Sequence, residues 1–217
     1  MSSQLIALLF DGLIETLIMV AVSGGIAALL GIPLGVILIL TDTGGILQNA
    51  PVNRVLGLIV NAARSTPFII LMVAVIPFTR LVVGTSIGTA AAIVPLTIAA
   101  IPFIARLVET ALREVPAGLI EAAQAMGATP YQIVTKVLLP EALPGIVAGL
   151  TITLVSLIGY SAMAGAVGGG GLGDIGIRYG YQRFLPEVML AVVVVLIVFV
   201  QGVQSLGDRL VRRLSHR

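Results

Sequence analysis

The sequence predicts an all-α membrane protein with five transmembrane helices and a structured cytoplasmic loop between the third and the fourth. Three observations lead to this fold class. The 217 residues are 58% hydrophobic and only 10% charged, and a mean hydropathy of +1.14 leaves too little polar surface for a water-soluble domain. The apolar residues are gathered into five long stretches. The basic residues are distributed unequally between alternate connections, as in membrane proteins of fixed orientation.

Each apolar stretch is long enough to cross a bilayer as a helix, since about 20 apolar residues span the hydrocarbon core. Helices are expected rather than strands, because in lipid a helix satisfies its own backbone hydrogen bonds. The third and fourth stretches contain prolines, glycines and hydroxyl residues, so their ends are less sharply defined. The predicted spans are residues 13–40, 55–78, 87–108, 143–167 and 188–206, within one membrane domain that covers residues 1–217.

The basic residues of the connections predict the orientation of the chain. Eight of them flank the side that holds the loop of residues 109–141 and the C-terminus, and three flank the other side. Positively charged flanks are retained in the cytoplasm, so this loop and the C-terminus are expected inside and the N-terminus outside. The eight are Arg54, Arg106, Arg113, Lys136, Arg209, Arg212, Arg213 and Arg217, and the three are Arg80, Arg178 and Arg183.

The composition excludes several classes of functional site. Without cysteine the chain has no disulfide, thiol nucleophile or cysteine-ligated metal. The single histidine, His216, lies in the tail, so neither a histidine metal site nor a serine–histidine catalytic centre is expected, and no catalytic residue is assigned. A net charge of +2 gives no reason to expect a nucleic-acid partner.

The segment from Pro116 to Pro140 predicts a helix–turn–helix on the cytoplasmic side. Pro116 is suited to the start of a helix, where its missing N–H would have no intrahelical partner. Gly127 is suited to a left-handed C-terminal cap. Thr129 and Gln132 have the spacing of a capping box that begins a second helix. Pro140 is expected to end that second helix before the fourth span.

One side of the first loop helix is apolar, with Leu119, Ile120 and Met126 lying roughly together. An apolar side of this kind needs a partner. Two partners are compatible with the sequence: the membrane domain of the same chain, or another protein.

The loop resembles the EAA loop of bacterial ABC importer permeases. In that family Glu-Ala-Ala is followed after three residues by glycine, and after nine more by Ile-x-Leu-Pro. The same spacing holds here, with Val137 in place of isoleucine as a mild departure. The resemblance implies a coupling helix seated on an ATPase subunit, through which closure of two ATPase subunits is transmitted as a rigid-body push. The residues that carry this role are Glu121, Ala122, Ala123, Gly127, Leu139 and Pro140.

Other segments resemble the permease of the bacterial methionine ABC importer, and the resemblance covers essentially the whole chain. They are RSTPFI from Arg64, the stretch from Val83 to Arg106, and GYSAM from Gly159. The resemblance implies the type I ABC importer permease fold in the bacterial inner membrane. It also implies transport of a small amino acid, with methionine (L, and D as an open question) expected and another amino acid as the alternative. Two ATP-binding subunits at the cytoplasmic face and an extracytoplasmic solute-binding protein are the implied partners.

The sequence itself agrees with such partners. It contains no G-x-x-x-x-G-K-[ST] segment, so ATP-Mg must be bound by another subunit, and neither a cofactor nor enzymatic activity is expected on this chain. Five spans without an internal repeat form a thin wall, which favours a homodimer with the pathway on its two-fold axis. The segments 31–35 and 145–149 each begin and end with glycine, and they offer small-residue faces for close helix packing, between subunits or within one.

A polar stripe in the fourth span predicts the translocation pathway. Thr153, Ser156, Tyr160 and Met163 are three, four and three residues apart, so they share one helix face. Hydroxyls in lipid prefer a protein or water-lined surface, and the alternative is hydrogen bonding between helices, at about 0.6 kcal/mol each. Tyr160 is suited to contact a thioether amino acid, and Met163 to close a gate against its symmetry mate. Ser161 is a further candidate.

Arg64 lies inside the second predicted span, where an arginine costs about 2.5–3.5 kcal/mol on insertion scales. Its side chain has three possible roles: reaching the cytoplasmic interface, supporting a helix C-terminus or a kink at Pro67, or binding a substrate carboxylate. Asn61 and Phe68 share its helix face. Structural and pathway roles both remain open for these three residues.

Two other readings of the sequence are weaker. Residues 168–173 match the glycine pattern of dinucleotide-binding turns, but no strand precedes them, so a flexible extracytoplasmic turn that docks a binding protein is expected instead. The alternative functions are a channel or secondary carrier and an intramembrane enzyme. A proton-coupled carrier would need carboxylates deep in a span, and the predicted spans have none. An enzyme would need a catalytic group, which is hard to assemble without cysteine or an intramembrane histidine.

Overall fold

The computed structural model describes residues 3–215, with side chains from residue 5 onward, so that the predicted tail residues His216 and Arg217 lie outside it. All regular structure in the described residues is helical, which confirms the all-α fold class. The π-helical turn Val134–Leu138 joins α7 to α8, and the π-helical turn Gly176–Tyr181 extends α9. The helices are α1 (Ser3–Thr41), α2 (Ala50–Ser65), α3 (Phe68–Ala74), α4 (Ile76–Val83), α5 (Thr89–Arg113), α6 (Ala117–Ala125), α7 (Pro130–Ile133), α8 (Leu139–Ala166), α9 (Gly171–Ile175) and α10 (Pro186–Leu214).

Four helices in the described residues are long and apolar enough to cross a bilayer, and a bent pair, α2 with α3, supplies a fifth span if the pair counts as one. Each continuous span is longer than the apolar stretch that predicted it, because polar residues at its ends remain helical. The four are Leu5–Thr41, Thr89–Arg113, Pro130–Ala166 and Pro186–Leu214.

The second predicted span is not one continuous helix. The axes of α2 and α3 differ by 104°. Pro67 has no N–H to continue the hydrogen-bond ladder, and it forces the preceding residue out of the helical region. Thr66 accordingly has an extended backbone, with φ −82° and ψ 123°. The kink expected at Pro67 is therefore a complete break in the span.

The helix–turn–helix of the loop is present as predicted. Gly127 follows α6 with a left-handed φ of +77°. Thr129 Oγ1 accepts a hydrogen bond from the Gln132 N–H, and Gln132 Oε1 accepts one from the Thr129 N–H, which completes the capping box at the start of α7. This segment therefore has a defined geometry that its own sequence specifies.

The expectation that Pro140 ends the second loop helix is wrong. The chain stays helical from α7 through the π-helical turn into α8, so the loop and the fourth span form one helix. In this turn the Leu139 N–H donates to the carbonyl of Val134, five residues back. The wider turn leaves room for the proline ring, which in a regular helix would clash with the carbonyl four residues back.

The bundle has two ends, which we name the α6 end and the α9 end. At the α6 end, the C-termini of α1 and α5 lie beside α6, and the C-terminus of α10 lies beside the start of α8. At the α9 end, α9 contacts the first half of α1, the end of α8 and the start of α10. The long helices therefore run between these two ends, with α5 packed against α1, α2 and α8.

Close packing of α5 depends on glycines in its neighbours. Gly31 and Gly35 of α1, and Gly145 and Gly149 of α8, all face α5. A Cβ atom at Gly35 would lie 2.6 Å from the carbonyl oxygen of Ala105. The small-residue faces found in the sequence are therefore used within the chain.

Replacing Gly35 with alanine should lower the stability of the folded chain by about 1–3 kcal/mol, because the methyl group would displace α5 backbone. Gly25→Ala is the matched control on the same helix, since no atom lies within 4 Å of its Cβ position. Thermal unfolding in detergent measures both variants. Equal unfolding temperatures for the two variants would contradict the packing argument.

The glycine-rich segment at residues 168–173 is not a flexible turn, which corrects the expectation from sequence. The Gly171 N–H donates to a Glu15 carboxylate oxygen at 2.6 Å, and the Leu172 N–H donates to Thr16 Oγ1 at 3.0 Å. A Cβ atom at Gly173 would lie 2.3 Å from a backbone oxygen of α8. The glycines therefore allow close backbone approach here, and whether the segment docks a binding protein stays a prediction.

Candidate functional site

A cavity of about 130 Å³ lies where the break between α2 and α3 faces α5 and α8. Beyond the break α3 packs against α8 as well as α5, and the cavity lies beside this bend. The other walls are small or apolar side chains of α2, α3, α5 and α8. Five of the residues predicted from sequence line it: Arg64, Phe68, Thr153, Ser156 and Tyr160.

Two aromatic rings form one side of the cavity. The rings of Phe68 and Tyr160 are stacked, with centroids 4.7 Å apart and planes 8° from parallel. Phe68 is the first residue of α3, so the stack attaches the helix after the break to α8. Stacked rings of this kind contribute about 0.5–1.5 kcal/mol beyond their buried area.

The hydroxyl groups of the stripe are hydrogen-bonded within their own helix. Thr153 Oγ1 donates to the Gly149 carbonyl and Ser156 Oγ donates to the Ile152 carbonyl, each at 2.9 Å. A hydroxyl that donates in this way keeps acceptor lone pairs for another molecule. The bonds between helices considered for this stripe are not formed by these two hydroxyls.

Arg64 places a positive charge at the edge of the cavity. Its side chain is exposed and lines the cavity beside the break. Among the described residues its guanidinium has no hydrogen-bond or ion-pair partner, so it does not support the helix end at Thr66. An arginine of this kind can donate to a carboxylate.

Three other predicted residues lie outside the cavity. Asn61 faces α5, where its Oδ1 accepts hydrogen bonds from Arg106 Nε and Nη2 at 3.3 and 2.9 Å. Ser161 is buried and donates to the Ile158 carbonyl. Met163 is 49% exposed, one turn beyond Tyr160 on α8.

A second candidate surface lies on α6, the helix of the EAA segment. Its inner side holds Ala123, which is buried, and Ile120, which packs against the core. Its outer side is unpartnered: Leu119 is exposed, and Met126 is 81% exposed. Of the three apolar residues grouped by the sequence, only Ile120 thus packs against the membrane domain of the same chain, and Leu119 and Met126 are exposed.

The other residues predicted for coupling have varied surroundings. Glu121 and Ala122 are exposed on α6, and Gly127 has no atom within 4 Å of its Cβ position. Leu139 packs against the core, and Pro140 is exposed where α8 begins. The exposed members surround the outer side of α6.

Comparison with known proteins identifies the family. Residues 13–216 match the family described as binding-protein-dependent transport system inner membrane component. The chain belongs to this family. It is therefore a multi-pass component of the inner membrane.

Relatives of this transport component are similar over nearly all of it. It is 64% identical to the probable D-methionine transport system permease protein MetI of Vibrio cholerae serotype O1, over 94% of this chain and 90% of the relative. It is 53% identical to the protein of the same name in Pasteurella multocida, over 94% of each chain. It is 61% identical to the D-methionine transport system permease protein MetI of Escherichia coli K12, over 76% of each. These relatives confirm the resemblance to methionine importer permeases.

Solved structures agree with the fold. A chain of the inward-facing MetNI methionine ABC transporter is 57% identical and superposes with a TM-score of 0.98 over all of both chains. A chain of an amino acid ABC transporter with histidines has a TM-score of 0.78 at 21% identity, covering 95% of this chain and 94% of that one, which supports the fold alone. The type I ABC importer permease fold implied by the resemblance is thereby confirmed.

Sequence reasoning missed one polar cluster of this transport component. Glu109 is 5% exposed and lies between Arg106 and Arg113 on the last turns of α5. Arg113 also pairs with Asp42, in the connection between α1 and α2. The spacing of three and four residues around Glu109 was the available signal. The partners Asp42 and Asn61 come from other parts of the chain and give no local sign.

Proposed function

We propose that this chain is the membrane-spanning subunit of an ATP-driven importer that carries methionine, in its L and D forms, across the inner membrane. The observation that carries the proposal is the near full-length identity to permease proteins named for D-methionine transport. The cavity is compatible with this substrate. Its apolar walls and ring stack suit a thioether, and Arg64 with the hydroxyls suits a carboxylate.

The proposed transporter contains two copies of this chain, two ATP-binding subunits and an extracytoplasmic solute-binding protein. The sequence lacks a P-loop, so ATP-Mg is held by the ATP-binding subunits and this chain is not the enzyme. The exposed side of α6, with Leu119 and Met126, is the surface for an ATP-binding subunit. A second copy completes the wall of the pathway along a two-fold axis, where the exposed Met163 side chains meet.

We place the α6 end in the cytoplasm and the N-terminus outside. The basic residues Arg209, Arg212 and Arg213 are exposed on the last turns of α10, and Lys136 is exposed in the coupling segment at the same end. Positively charged flanks are retained in the cytoplasm. The ATP-binding subunits then meet α6 on the side where ATP is present.

Transport proceeds by movement of rigid helices around the cavity. ATP-driven closure of the two ATP-binding subunits pushes α6, which is three residues from the end of α5 and is joined through α7 to α8. Both α5 and α8 line the cavity, and the break at Thr66 allows α2 and α3 to change their relative angle. The cavity therefore opens to one side or the other as the subunits close and separate.

Uptake of radiolabelled methionine into proteoliposomes tests the proposal. The vesicles contain this chain with its cognate ATP-binding subunit and binding protein, with or without ATP in the compartment that faces the ATPase. We expect ATP-dependent uptake that unlabelled methionine, but not histidine or glutamine, competes. ATP-dependent uptake of another solute would discard methionine and keep the mechanism. Uptake by this chain alone, without ATP, would replace the proposal with a channel or carrier.

Arg64→Gln should lower methionine uptake about fivefold, equivalent to about 1 kcal/mol, because the substrate carboxylate loses a charged donor. ATP hydrolysis should persist. Arg54→Gln is the matched control, since Arg54 is exposed on the same helix and does not line the cavity. Equal losses in the two variants would show that the cavity position of Arg64 is not what matters.

A further inference from the structure

Five polar side chains join three separate parts of the chain near the α6 end. Arg106 Nη1 and Arg113 Nη2 donate to different oxygens of the Glu109 carboxylate, at 2.5 and 2.8 Å. The Arg106 guanidinium also donates to Asn61 Oδ1 of α2. Arg113 Nη2 lies 2.8 Å from Asp42 Oδ2. We call this set of five residues the Glu109 network.

Glu109 is the centre of the network because it is buried and fully paired. Its side chain is 7% exposed, whereas those of Arg106 and Arg113 are 26% and 56% exposed. A buried carboxylate is tolerated only when paired and hydrogen-bonded, and removing its charge leaves two guanidinium groups facing each other. The Arg113–Asp42 pair alone is too exposed to hold helices together.

The network is well placed to control α2. The apolar contact between α2 and its neighbours consists of Val60 and Leu56 packed among Leu34, Leu38 and Ala105. Asn61, the residue after Val60, is held by Arg106. This polar contact therefore holds the end of α2 next to the break, while at the start of α2 Asn53 Nδ2 donates to the Leu38 carbonyl at 2.7 Å.

The network also lies between α6 and the cavity. Arg113 is the last residue of α5, and α6 begins at Ala117. At the other end of the network, Asn61 is three residues before Arg64, one helical turn from the cavity and the break. A displacement of α6 reaches α5 directly, and the network passes it to α2.

We infer that Glu109 is a positioning residue which, with Arg106 and Asn61, transmits movement of α6 to the broken span at the cavity. This inference rests on the proposed function. It assigns coupling of ATP hydrolysis to transport not only to the EAA residues on α6 but also to this polar contact between α5 and α2. Disrupting the contact separates hydrolysis from transport while the fold persists.

The test compares uptake per ATP hydrolysed in proteoliposomes of the assembled transporter. Glu109→Gln and Asn61→Leu should each lower this ratio about fivefold, a typical coupling effect, with ATP hydrolysis retained. Asn61→Asp is the conservative control, because a carboxylate there still accepts from Arg106. It should keep the ratio of the unaltered protein. Thermal unfolding in detergent is measured on every variant.

The outcomes separate coupling from stability. A merely structural network would lower the unfolding temperature and reduce uptake and hydrolysis in proportion, leaving their ratio unchanged, and that result would overturn the inference. If uptake per ATP hydrolysed falls as far in Asn61→Asp as in Asn61→Leu, the inference is also overturned. If the unaltered transporter shows no ATP-dependent uptake, the proposed function fails first, and the inference fails with it.

Discussion

Replacing Gly127 with valine is expected to reduce methionine uptake at least about tenfold, while membrane insertion and ATP hydrolysis persist. Gly127 has a φ of +77°, which an L-residue adopts at a cost of roughly 1–2 kcal/mol, and more when it is β-branched. No atom lies within 4 Å of its Cβ position, so valine would change the backbone and not the packing. The angle between α6 and α7 would then differ from the one that transmits movement of the ATP-binding subunits to α8.

The same assays on Gly127→Asn provide the control. Asparagine adopts the left-handed region more readily than other residues that carry a Cβ atom. The Asn variant should therefore transport at a rate close to the unaltered protein. Normal uptake by the valine variant would show that the angle between the two loop helices is not important for coupling.

Tyr160→Ala should produce the second large effect, a loss of methionine uptake of about tenfold. The substitution removes the ring stacked on Phe68 at 4.7 Å, and with it a wall of the cavity and the attachment of α3 to α8. The uptake assay with purified components measures the loss, and ATP hydrolysis shows that the assembly is intact.

Tyr160→Phe distinguishes the ring from the hydroxyl. Phenylalanine keeps the stack, so uptake within about twofold of the unaltered protein is expected if the ring is what matters. A loss equal to that of the alanine variant would assign the role to the hydroxyl. Unchanged uptake in both variants would remove Tyr160 from the pathway.

Local patterns predicted the helical elements and part of the site. Thr129 and Gln132 specified the start of α7, and Gly127 specified the end of α6, because caps depend on residues a few positions apart. The stripe of Thr153, Ser156 and Tyr160 lines the cavity, since helix periodicity is also local.

Features that depend on distant residues were not predictable in this way. The size of the break at Pro67 depends on how α3 packs against α5 and α8. The glycine-rich segment 168–173 resembles a flexible turn in the sequence, but Glu15 and Thr16, more than 150 positions away, accept hydrogen bonds from the N–H groups of Gly171 and Leu172. The partners of Glu109 likewise come together only in the folded chain. Whether the cavity residues carry the substrate stays a prediction.

The π-helical turn between α7 and α8 determines the rotational phase of the pathway helix. Each residue of a regular α-helix advances about 100° around the axis, and the turn at Val134–Leu138 accommodates its residues with bonds five positions apart. Tyr160 therefore faces the cavity in a register that a regular helix of the same sequence would not keep. Tightening this single turn to a regular α-helix would rotate the cavity face of α8 relative to the loop.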